Sequence, residues 1–451
     1  MTTRNDTSAP PSSSLSKVGG ATLVGSFIEW YDFYIYGIAA ALVFNKLFFP
    51  NVSAAAGTIL SFAVFASAWM ARPLGSIIFG SIGDRIGPKR ALVMTFILMG
   101  GSTVGVGLVP TAESIGVLAP IILVLFRILQ GLAAGGEWSG AATMAVGHAP
   151  AGKRGLYGAL PQMGIPLALI AANLVTLLSY QVPEEILLTW GWRIPFLSSI
   201  IIIPVGYYIR RRLVEAPDYV TAVKNKQISQ SPVRLAVTQY WKQILVVVLF
   251  MGAGNAFFFV FTTYALTYAT TEVGFSRPDT LSALAIAASV FAVATLFFGW
   301  ASDIIGRRRL FIVGVSILAI MPFPLFALIN TGSWVLFTLG LSVSLGLGHG
   351  SFWGPAAAFF TEIFPPSVRY SGSGLGFQLA GTLFGGPLPL IAAALVSAAN
   401  GAPWYVAALV SAICIPAVIA AFYSKRLHVY GPDDTQENSD CAVDSVRPAQ
   451  I

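Results

Sequence analysis

Charged residues and cysteines are scarce in this chain. Asp, Glu, Lys and Arg together make up only 10% of the 451 residues, whereas an average soluble domain has roughly 25%. The two cysteines, Cys414 and Cys441, are too few for a disulfide framework, and no motif has the spacing of a metal site. A hydrophobic fraction of 56% and a mean hydropathy of +0.76 indicate instead a helical membrane protein with many spans.

Twelve apolar runs are long enough to cross a bilayer, which takes about 20 residues of helix. We therefore predict an all-α polytopic membrane protein with twelve transmembrane helices in two six-helix bundles. The predicted spans cover roughly residues 20–43, 56–80, 91–110, 117–140, 156–180, 192–209, 244–268, 281–300, 310–330, 334–360, 371–397 and 402–423.

The basic residues indicate how these spans are oriented. Lys and Arg are concentrated in both tails and in the loops after even-numbered spans, whereas the opposite loops hold only Lys46, Arg193 and Arg277. Because cytoplasmic loops carry the excess of positive charge, both termini are predicted to lie in the cytoplasm. The predicted plan is a disordered cytoplasmic tail (1–18), a first bundle (19–209), a cytoplasmic linker (210–243), a second bundle (244–423) and a cytoplasmic C-terminal tail (424–451).

The linker is the longest polar stretch between spans. Its first part is predicted to form a short amphipathic helix interrupted by Pro217, with residues 210–212, all arginines, near anionic lipid headgroups. We interpret the linker as a solvated connector, with a cytoplasmic recognition site as the alternative.

One motif occurs in both halves. The pattern G-x-x-x-D-x-x-G followed by basic residues occupies 80–90 and 299–309, as expected for a transporter built from two related bundles. Glycine allows helices to approach closely, and an aspartate at a helix end can accept hydrogen bonds from a neighbouring helix N-terminus or an arginine. The motif is therefore predicted to gate the cytoplasmic side. Its predicted gating residues are Gly80, Asp84, Arg85, Arg90, Gly299, Asp303 and Arg307.

Two carboxylates lie in the middle of the first span. Glu29 and Asp32 are roughly 14 and 18 Å into a hydrocarbon core of about 30 Å. Because an ionised carboxylate facing lipid there is very unfavourable, they must face a protein interior or a polar cavity. We predict that they couple transport to protons; the alternative is a structural role beside a basic neighbour.

Two arginines are candidate partners for these acids. Arg127 lies at the same depth in span four, where it can pair with either acid or hold a substrate carboxylate in bidentate fashion. Arg72, toward the cytoplasmic end of span two, and Glu137, near that of span four, are predicted to take part in buried charge pairing. A permanent structural ion pair is the alternative for both arginines.

The second half offers aromatic and neutral polar groups, which suit the body of an organic ligand. Packing alone is the alternative for each aromatic residue, and His349 in span ten is either an interior histidine or a ligand or proton group. The predicted substrate-binding residues from both halves are Tyr36, Arg127, Gln162, Asn255, Phe258, Tyr264, Trp353 and Gln378.

The paired gating motifs resemble the major facilitator superfamily over essentially the whole chain between the tails. The stretches 29–37, 72–75, 130–137, 191–196 and 215–217 further resemble the metabolite:proton symporter family, and 39–45 with 48–53 are similar to shikimate-type transporters. The resemblance implies proton-coupled uptake across a bacterial inner membrane, with citrate, 2-oxoglutarate, shikimate, aromatic acids, proline or betaine among the family's substrates.

The resemblance also implies an E-x6-R pair at the cytoplasmic ends of spans four and ten. Span ten has Glu362 and Arg369, which join the predicted gating residues, but span four has Gly147 before Arg154. A symmetric charge gate is therefore in question in the first half. His148 is a hypothetical replacement that would make the gate respond to cytoplasmic pH.

We predict a secondary active transporter that takes up a small organic acid with protons, by alternating access. Its expected surroundings are the lipid bilayer of the inner membrane, as a monomer with no cofactor other than the coupling proton, no metal and no nucleic-acid partner. The alternatives are a carrier of a zwitterionic osmolyte, disfavoured by the short C-terminal tail without heptads, and a receptor on the same fold that does not transport. An enzyme is not expected, because no nucleophile with a base and no phosphate loop is evident.

Overall fold

The computed structural model describes residues 15–179, 181–211 and 213–430. These ranges form helices and connections without a strand. The first bundle contains α1 (Leu15–Ala39), α2 (Ala54–Ile86), α3 (Pro88–Leu108), α4 (Leu118–Gly147), α5 (Arg154–Ser179) and α6 (Ser199–Arg211). The second contains α7 (Trp241–Val273), α8 (Arg277–Ile305), α9 (Arg307–Ile320 and Pro322–Ile329), α10 (Trp334–Glu362), α11 (Arg369–Phe384 and Leu388–Ala398) and α12 (Trp404–Arg426).

Shorter elements join or interrupt these helices. One turn of π-helix interrupts α7 at Val260–Tyr264 and α10 at Ser344–His349, and another, Ala40–Phe44, follows α1. The connecting helices are Asn45–Phe48, Ala112–Ile115, Glu184–Thr189, Gly191–Arg193, Ile194–Leu197, Pro217–Lys224 and Pro232–Gln239.

Within the described residues, eight helices are long and apolar enough to cross a membrane, or nine if the two parts of α9, bent by 44°, count as one span. The other three helices of the predicted twelve have identifiable reasons to fall short. Helix α1 carries Glu29 and Asp32, α6 has only 13 residues, and α11 is interrupted between Phe384 and Leu388.

The aspartate of each motif copy lies inside a helix, beyond the predicted ends of spans two and eight. Helices α2 and α8 continue through the motif, because the break comes only at Gly87 and Gly306. These two glycines have φ of +110° and +96°, which residues with a Cβ rarely adopt. The shared spacing from aspartate to glycine thus places each aspartate in the last turn of its helix.

The linker also differs from its prediction. Helix α6 extends to Arg211, and the side chain of Arg210 is fully buried, so its predicted contact with lipid headgroups is wrong. Pro217 begins the helix Pro217–Lys224 instead of interrupting it, because proline fits the first helical turn, where its missing N–H is not needed.

The tails fall largely outside the description. Helix α1 begins at Leu15, inside the range 1–18 predicted as a tail. After α12 the described chain continues to Tyr430. The predictions for 1–14 and 431–451 concern residues outside the described ranges.

The two bundles meet along two seams, α2 against α11 and α5 against α8 and α10. A glycine in each seam allows the helices of the two bundles to approach closely. A Cβ at Gly80 on α2 would lie 2.9 Å from the Cα of Ser371, and one at Gly299 on α8 would lie 2.4 Å from the Cβ of Ala159. Any larger side chain at either glycine would push the bundles apart.

Candidate functional site

The side-chain amide of Gln130 links Asp32 and Arg127 by hydrogen bonds. The Arg127 Nη1 lies 3.8 Å from the Asp32 Oδ2, and both side chains are almost fully buried. Between them, Gln130 accepts a hydrogen bond from Arg127 Nη1 (2.8 Å) and donates to Asp32 Oδ2 (2.8 Å) and to Thr103 (2.9 Å). Within the described chain, the second Asp32 oxygen, Oδ1, and the Arg127 Nε have no hydrogen-bond partner. This pair therefore keeps polar atoms available for a ligand or a proton.

Glu29 and Arg72 form a second buried pair. The Arg72 Nη1 lies 3.5 Å from Glu29 Oε1, but Arg72 Nη1 and Nε make no hydrogen bond to any described residue. Arg72 is residue 19 of the 33-residue helix α2, so its predicted place toward the cytoplasmic end is wrong; the helix runs further than its apolar stretch suggests. Arg72 lies at the level of the acids and joins the same charged cluster.

Aromatic rings cover both guanidinium groups. The Arg127 Cζ lies 3.8 Å from the ring centroid of Tyr36, and the Arg72 Cζ lies 4.1 Å from that of Trp69. Phe259, from the second bundle, packs 5.5 Å from the Trp69 ring and 6.2 Å from Phe33. Because rings stabilise cations on their faces, the first bundle presents two cations held by aromatic faces, next to a ring from the second bundle.

The predicted residues of α7 are buried in the second bundle, where the Phe258 ring packs against Phe259. Phe258, Phe291 and Trp353 surround His349, with ring centroids 5.2, 5.1 and 5.7 Å from the imidazole. His349 Nδ1 and Asn255 Nδ2 are buried without a hydrogen-bond partner in the part of the chain that the structure describes. Tyr264 is also buried, in the π-helical turn of α7. The aromatic residues of the second half therefore pack against one another, and two polar atoms without a hydrogen-bond partner are buried among the residues described there.

Three predicted substrate residues instead connect the bundles in this conformation. Trp353 Nε1 donates to the Gln162 backbone oxygen (3.2 Å), and Gln162 Oε1 accepts from Trp138 Nε1 (2.9 Å). Gln378 Nε2 donates to the backbone oxygen of Ala134 (3.0 Å). A substrate would reach these three groups only where the two bundles separate.

The two motif aspartates cap helices of the opposite bundle. Asp84 accepts hydrogen bonds from the backbone N–H groups of Tyr370 (3.0 Å) and Ser371 (2.9 Å), at the start of α11. Asp303 accepts them from Gly155 (2.7 Å) and Leu156 (3.0 Å), at the start of α5. Because a helix N-terminus attracts negative charge, each bundle provides one cap and receives one. This exchange closes the side of the molecule that the basic loops predict to be cytoplasmic.

The basic residues of the gate do not act alike. Arg307 forms ion pairs with Glu362 (2.7 Å) and Asp303 (3.3 Å), all within the second bundle. Arg369, seven residues after Glu362, pairs with Asp218 (2.8 Å) instead. Arg85 donates to the backbone oxygen of Gln230 in the linker, and the Arg90 side chain is exposed. Arg85 therefore bonds to the linker, and the predicted gating role of Arg90 has no bond to support it among the described residues.

Glu137 is buried but belongs to a different pair from the site acids. It accepts from Arg210 Nη1 (3.0 Å) and from Thr95 (2.9 Å), and Arg210 also bonds the backbone oxygen of Leu92 (2.9 Å). Arg72 and Glu137, predicted together as buried pairing residues, therefore have separate partners. The Glu137 pair attaches the end of α6 to α3 and α4.

Sequence reasoning missed several residues of this arrangement. Gln130 lies three residues after Arg127, on the same helix face, and that spacing is a usable signal. Asp218 and Arg210 were assigned to a solvated linker, and their partners lie 64 to 151 positions away in the chain. Nothing local marks such pairs.

Two family models match the chain. The model described as "Sugar (and other) transporter" covers residues 20–231, and the "Major Facilitator Superfamily" model covers residues 249–440. The boundary between the matches falls in or beside the predicted linker.

Curated relatives and solved structures match over most of the chain. The shikimate transporter of Escherichia coli is 37% identical over 91% of this chain and 95% of its own length. A Staphylococcus haemolyticus protein whose name mentions proline and betaine is 33% identical over 87% of this chain and 84% of its own. The proton:xylose symporter XylE has the same fold, with a TM-score of 0.75 at 18% identity over 91% of this chain and 95% of its own. The predicted two-bundle fold class is confirmed.

Proposed function

The chain belongs to the major facilitator superfamily and is a membrane transporter, not an enzyme, and on this premise we propose that it takes up a small organic acid together with protons. Its relatives differ in the substrates that their names give, so family membership leaves the substrate open. The choice of an organic anion rests on one observation, the two buried acid and arginine pairs at the level of the bilayer centre.

The two pairs can exchange one anion for another. Removing one partner of a buried ion pair is strongly unfavourable, because the remaining charge has left water. When a proton neutralises Asp32 or Glu29, the arginine beside it needs a new anion, and a substrate carboxylate has the matching planar geometry. Proton binding and anion binding then support each other, which is the requirement for symport.

The neutral second bundle completes the proposed site. Phe258, Asn255 and Tyr264 face the substrate body in this proposal, and separation of Trp353 and Gln378 from the first bundle opens the path. Rocking of the two bundles about this midplane site is the movement expected of transporters built from two repeats. The inner membrane is the proposed location, with both termini in the cytoplasm, as the basic loops predict.

The first experiment identifies the ligand. Purified protein is screened by thermal shift with shikimate, benzoate-type acids, dicarboxylates, citrate and betaine. We expect stabilisation by at least one acid, since a ligand that binds only the folded state raises the melting temperature. Stabilisation by betaine alone would favour the osmolyte carrier and would contradict the proposal.

The second experiment separates coupling from binding, in proteoliposomes with the acid so identified. We expect Asp32→Asn or Glu29→Gln to abolish accumulation driven by a pH gradient while exchange of labelled for unlabelled acid continues. Glu113→Gln, at an exposed acid in the short helix Ala112–Ile115 before α4, serves as the control and should behave like the unaltered protein. Gradient-driven accumulation by both variants would show that neither acid couples protons. Binding without flux in the unaltered protein would favour the receptor.

A further inference from the structure

Asp218, in the linker helix Pro217–Lys224, binds an arginine from each bundle. Its Oδ2 accepts from Arg154 Nη2 (3.0 Å), at the start of α5, and from Arg369 Nη1 (2.8 Å), at the start of α11. The Asp218 side chain is 14% exposed, and those of Arg154 and Arg369 only 6% and 4%. A single carboxylate oxygen thus holds together two nearly buried cations on opposite sides of the seam.

The missing glutamate of the first half explains why the linker can reach this position. Gly147 stands seven residues before Arg154, where the second half has Glu362 before Arg369. A Cβ at Gly147 would lie 2.9 Å from the Cβ of Ala216, so any side chain there would displace the linker. Glycine at 147 and aspartate at 218 are therefore complementary. Helix α4 has no acid at this position, and the linker supplies one in its place.

The linker is fastened to the first bundle beside this contact. Glu215 accepts from the Lys89 backbone N–H (3.0 Å), and Tyr219 donates to the Arg85 backbone oxygen (2.9 Å). Arg210 pairs with Glu137 just before the linker. Because these attachments all lie on the first bundle, Asp218 moves with that bundle. Of its two bonds to arginine, the one to Arg369 must then break when the cytoplasmic side opens.

We propose that Asp218 is a third acid of the cytoplasmic gate, beside Asp84 and Asp303, and a positioning residue that holds the bundles closed by binding Arg154 and Arg369 at once. Without it, both nearly buried guanidinium groups lose their ion pair, and the closed state is destabilised because a buried charge without its partner is unfavourable. The linker is then a working part of the gate and not only a connector. This inference rests on the proposed transport function only in assuming that the bundles rock.

The test measures the closed state directly and needs no substrate. Spin labels are placed at two exposed cytoplasmic positions, Ala151→Cys in the first bundle and Arg309→Cys in the second, after Cys414→Ala and Cys441→Ser. Pulsed electron paramagnetic resonance in nanodiscs then gives the distribution of distances between the labels. We expect one dominant short distance in the labelled parent.

Asp218→Asn should raise the ratio of long to short distances at least tenfold, and Asp218→Glu should restore most of the short population. Arg369→Gln removes the same contact from the second bundle and should produce the same shift, so the outcome does not depend on the folding of one variant. Glu113→Gln is the matched control, at an acid far from the gate, and should leave the distribution unchanged.

A parent-like distribution in both Asp218→Asn and Arg369→Gln would overturn the proposal. So would an equal shift in Asp218→Glu, since the charge would then not be what matters. Because the distances are recorded without ligand, these results bear on the gate alone. Failure of the acid-uptake assays would leave them unaffected.

Discussion

Arg72 and Arg127 are held in different ways, although both pair with an acid of α1. Gln130 fixes the guanidinium of Arg127 by a hydrogen bond of 2.8 Å, whereas Arg72 is held by charge and by the face of Trp69. The sequence suggested Arg127 as the substrate ligand. Having more unbonded donors, Arg72 is a second candidate for that role, and the proposed exchange of anions applies to both.

Replacing Arg127 by lysine should weaken acid binding by at least tenfold, about 1.4 kcal/mol. Lysine keeps the charge but cannot lie flat on the Tyr36 ring or bind a carboxylate through two parallel hydrogen bonds. Titration calorimetry with the acid found in the ligand screen measures the effect. Arg234→Lys, at an exposed arginine of the linker, is the control; equal affinity in Arg127→Lys and the control would remove Arg127 from the site.

His148 is a poor candidate for a cytoplasmic pH sensor. Its Nδ1 lies 2.9 Å from the Met144 backbone oxygen, and burial lowers its pKa below the ordinary value of 6.5. The ring is therefore neutral near pH 7. The lowered pKa disfavours the protonated form. The contribution of neutral His148 to the stability of the conformation that buries it is therefore fully present above about pH 6.5 and is lost as the pH falls below that value.

We accordingly expect His148→Gln to leave the rate of acid uptake unchanged at internal pH values from about 6.8 to about 8. Transport is measured in proteoliposomes loaded with buffers across this range. A pH profile that flattens in the variant would show that His148 titrates in the working protein after all.

At the level of helices, the apolar runs suffice to predict twelve helices in two bundles. They do not suffice for the ends, because α2 and α8 continue through polar motif residues that no longer face lipid. Helix ends matter for the site, since the longer α2 brings Arg72 to mid-helix. Which arginine meets which acid depends on the rotation and tilt of packed helices, and neither follows from spacing within one helix.

The glycines that end α2 and α8 provide a test of backbone geometry. Gly306→Ala places a Cβ in open space but forces alanine to a φ of +96°, which should cost about 1–3 kcal/mol. Gly87→Ala should cost more, because its Cβ would also lie 2.4 Å from Glu215 Oε2 and disturb the bond to Lys89. The apparent melting temperature in detergent should therefore be lower for Gly306→Ala than for the unaltered protein, and lowest for Gly87→Ala.

Gly101→Ala is the control for this pair, since Gly101 lies within α3 and an added Cβ there would have no described neighbour within 4 Å. Its melting temperature should stay the same or rise slightly, because alanine favours helix. A fall as large as that of Gly306→Ala would mean that added volume, and not φ, decides stability.

For the molecule as a whole, the seams depend on contacts that only the assembled bundles create. The repeat in the sequence indicated two related gating motifs, and their aspartates do bind helix N-termini of the opposite half. The partners of Asp218, Arg210 and Gln378 could not be predicted, because they lie in another bundle or another helix and the local sequence around each residue gives no sign of them. Repeats predict symmetry, while departures from symmetry appear only in the assembled structure.

The two caps should contribute comparably to closure. Asp84→Asn and Asp303→Asn each keep one accepting oxygen but remove the charge that a helix N-terminus favours, worth roughly 0.3–2 kcal/mol. With labels at positions 151 and 309, each variant should increase the long-distance population by a similar, moderate factor, and the double variant by about the product. An effect confined to one of the two would show that closure is dominated by a single seam.

The exchange of caps has a bearing on how such a molecule can originate. A single six-helix unit with one terminal aspartate and one open helix N-terminus would satisfy both when paired with a copy of itself, as in a two-fold dimer with a self-complementary interface. The present chain keeps that reciprocal contact in one polypeptide. Once two such copies are joined, each is free to change separately, and in this chain most of the buried charges lie in the first bundle.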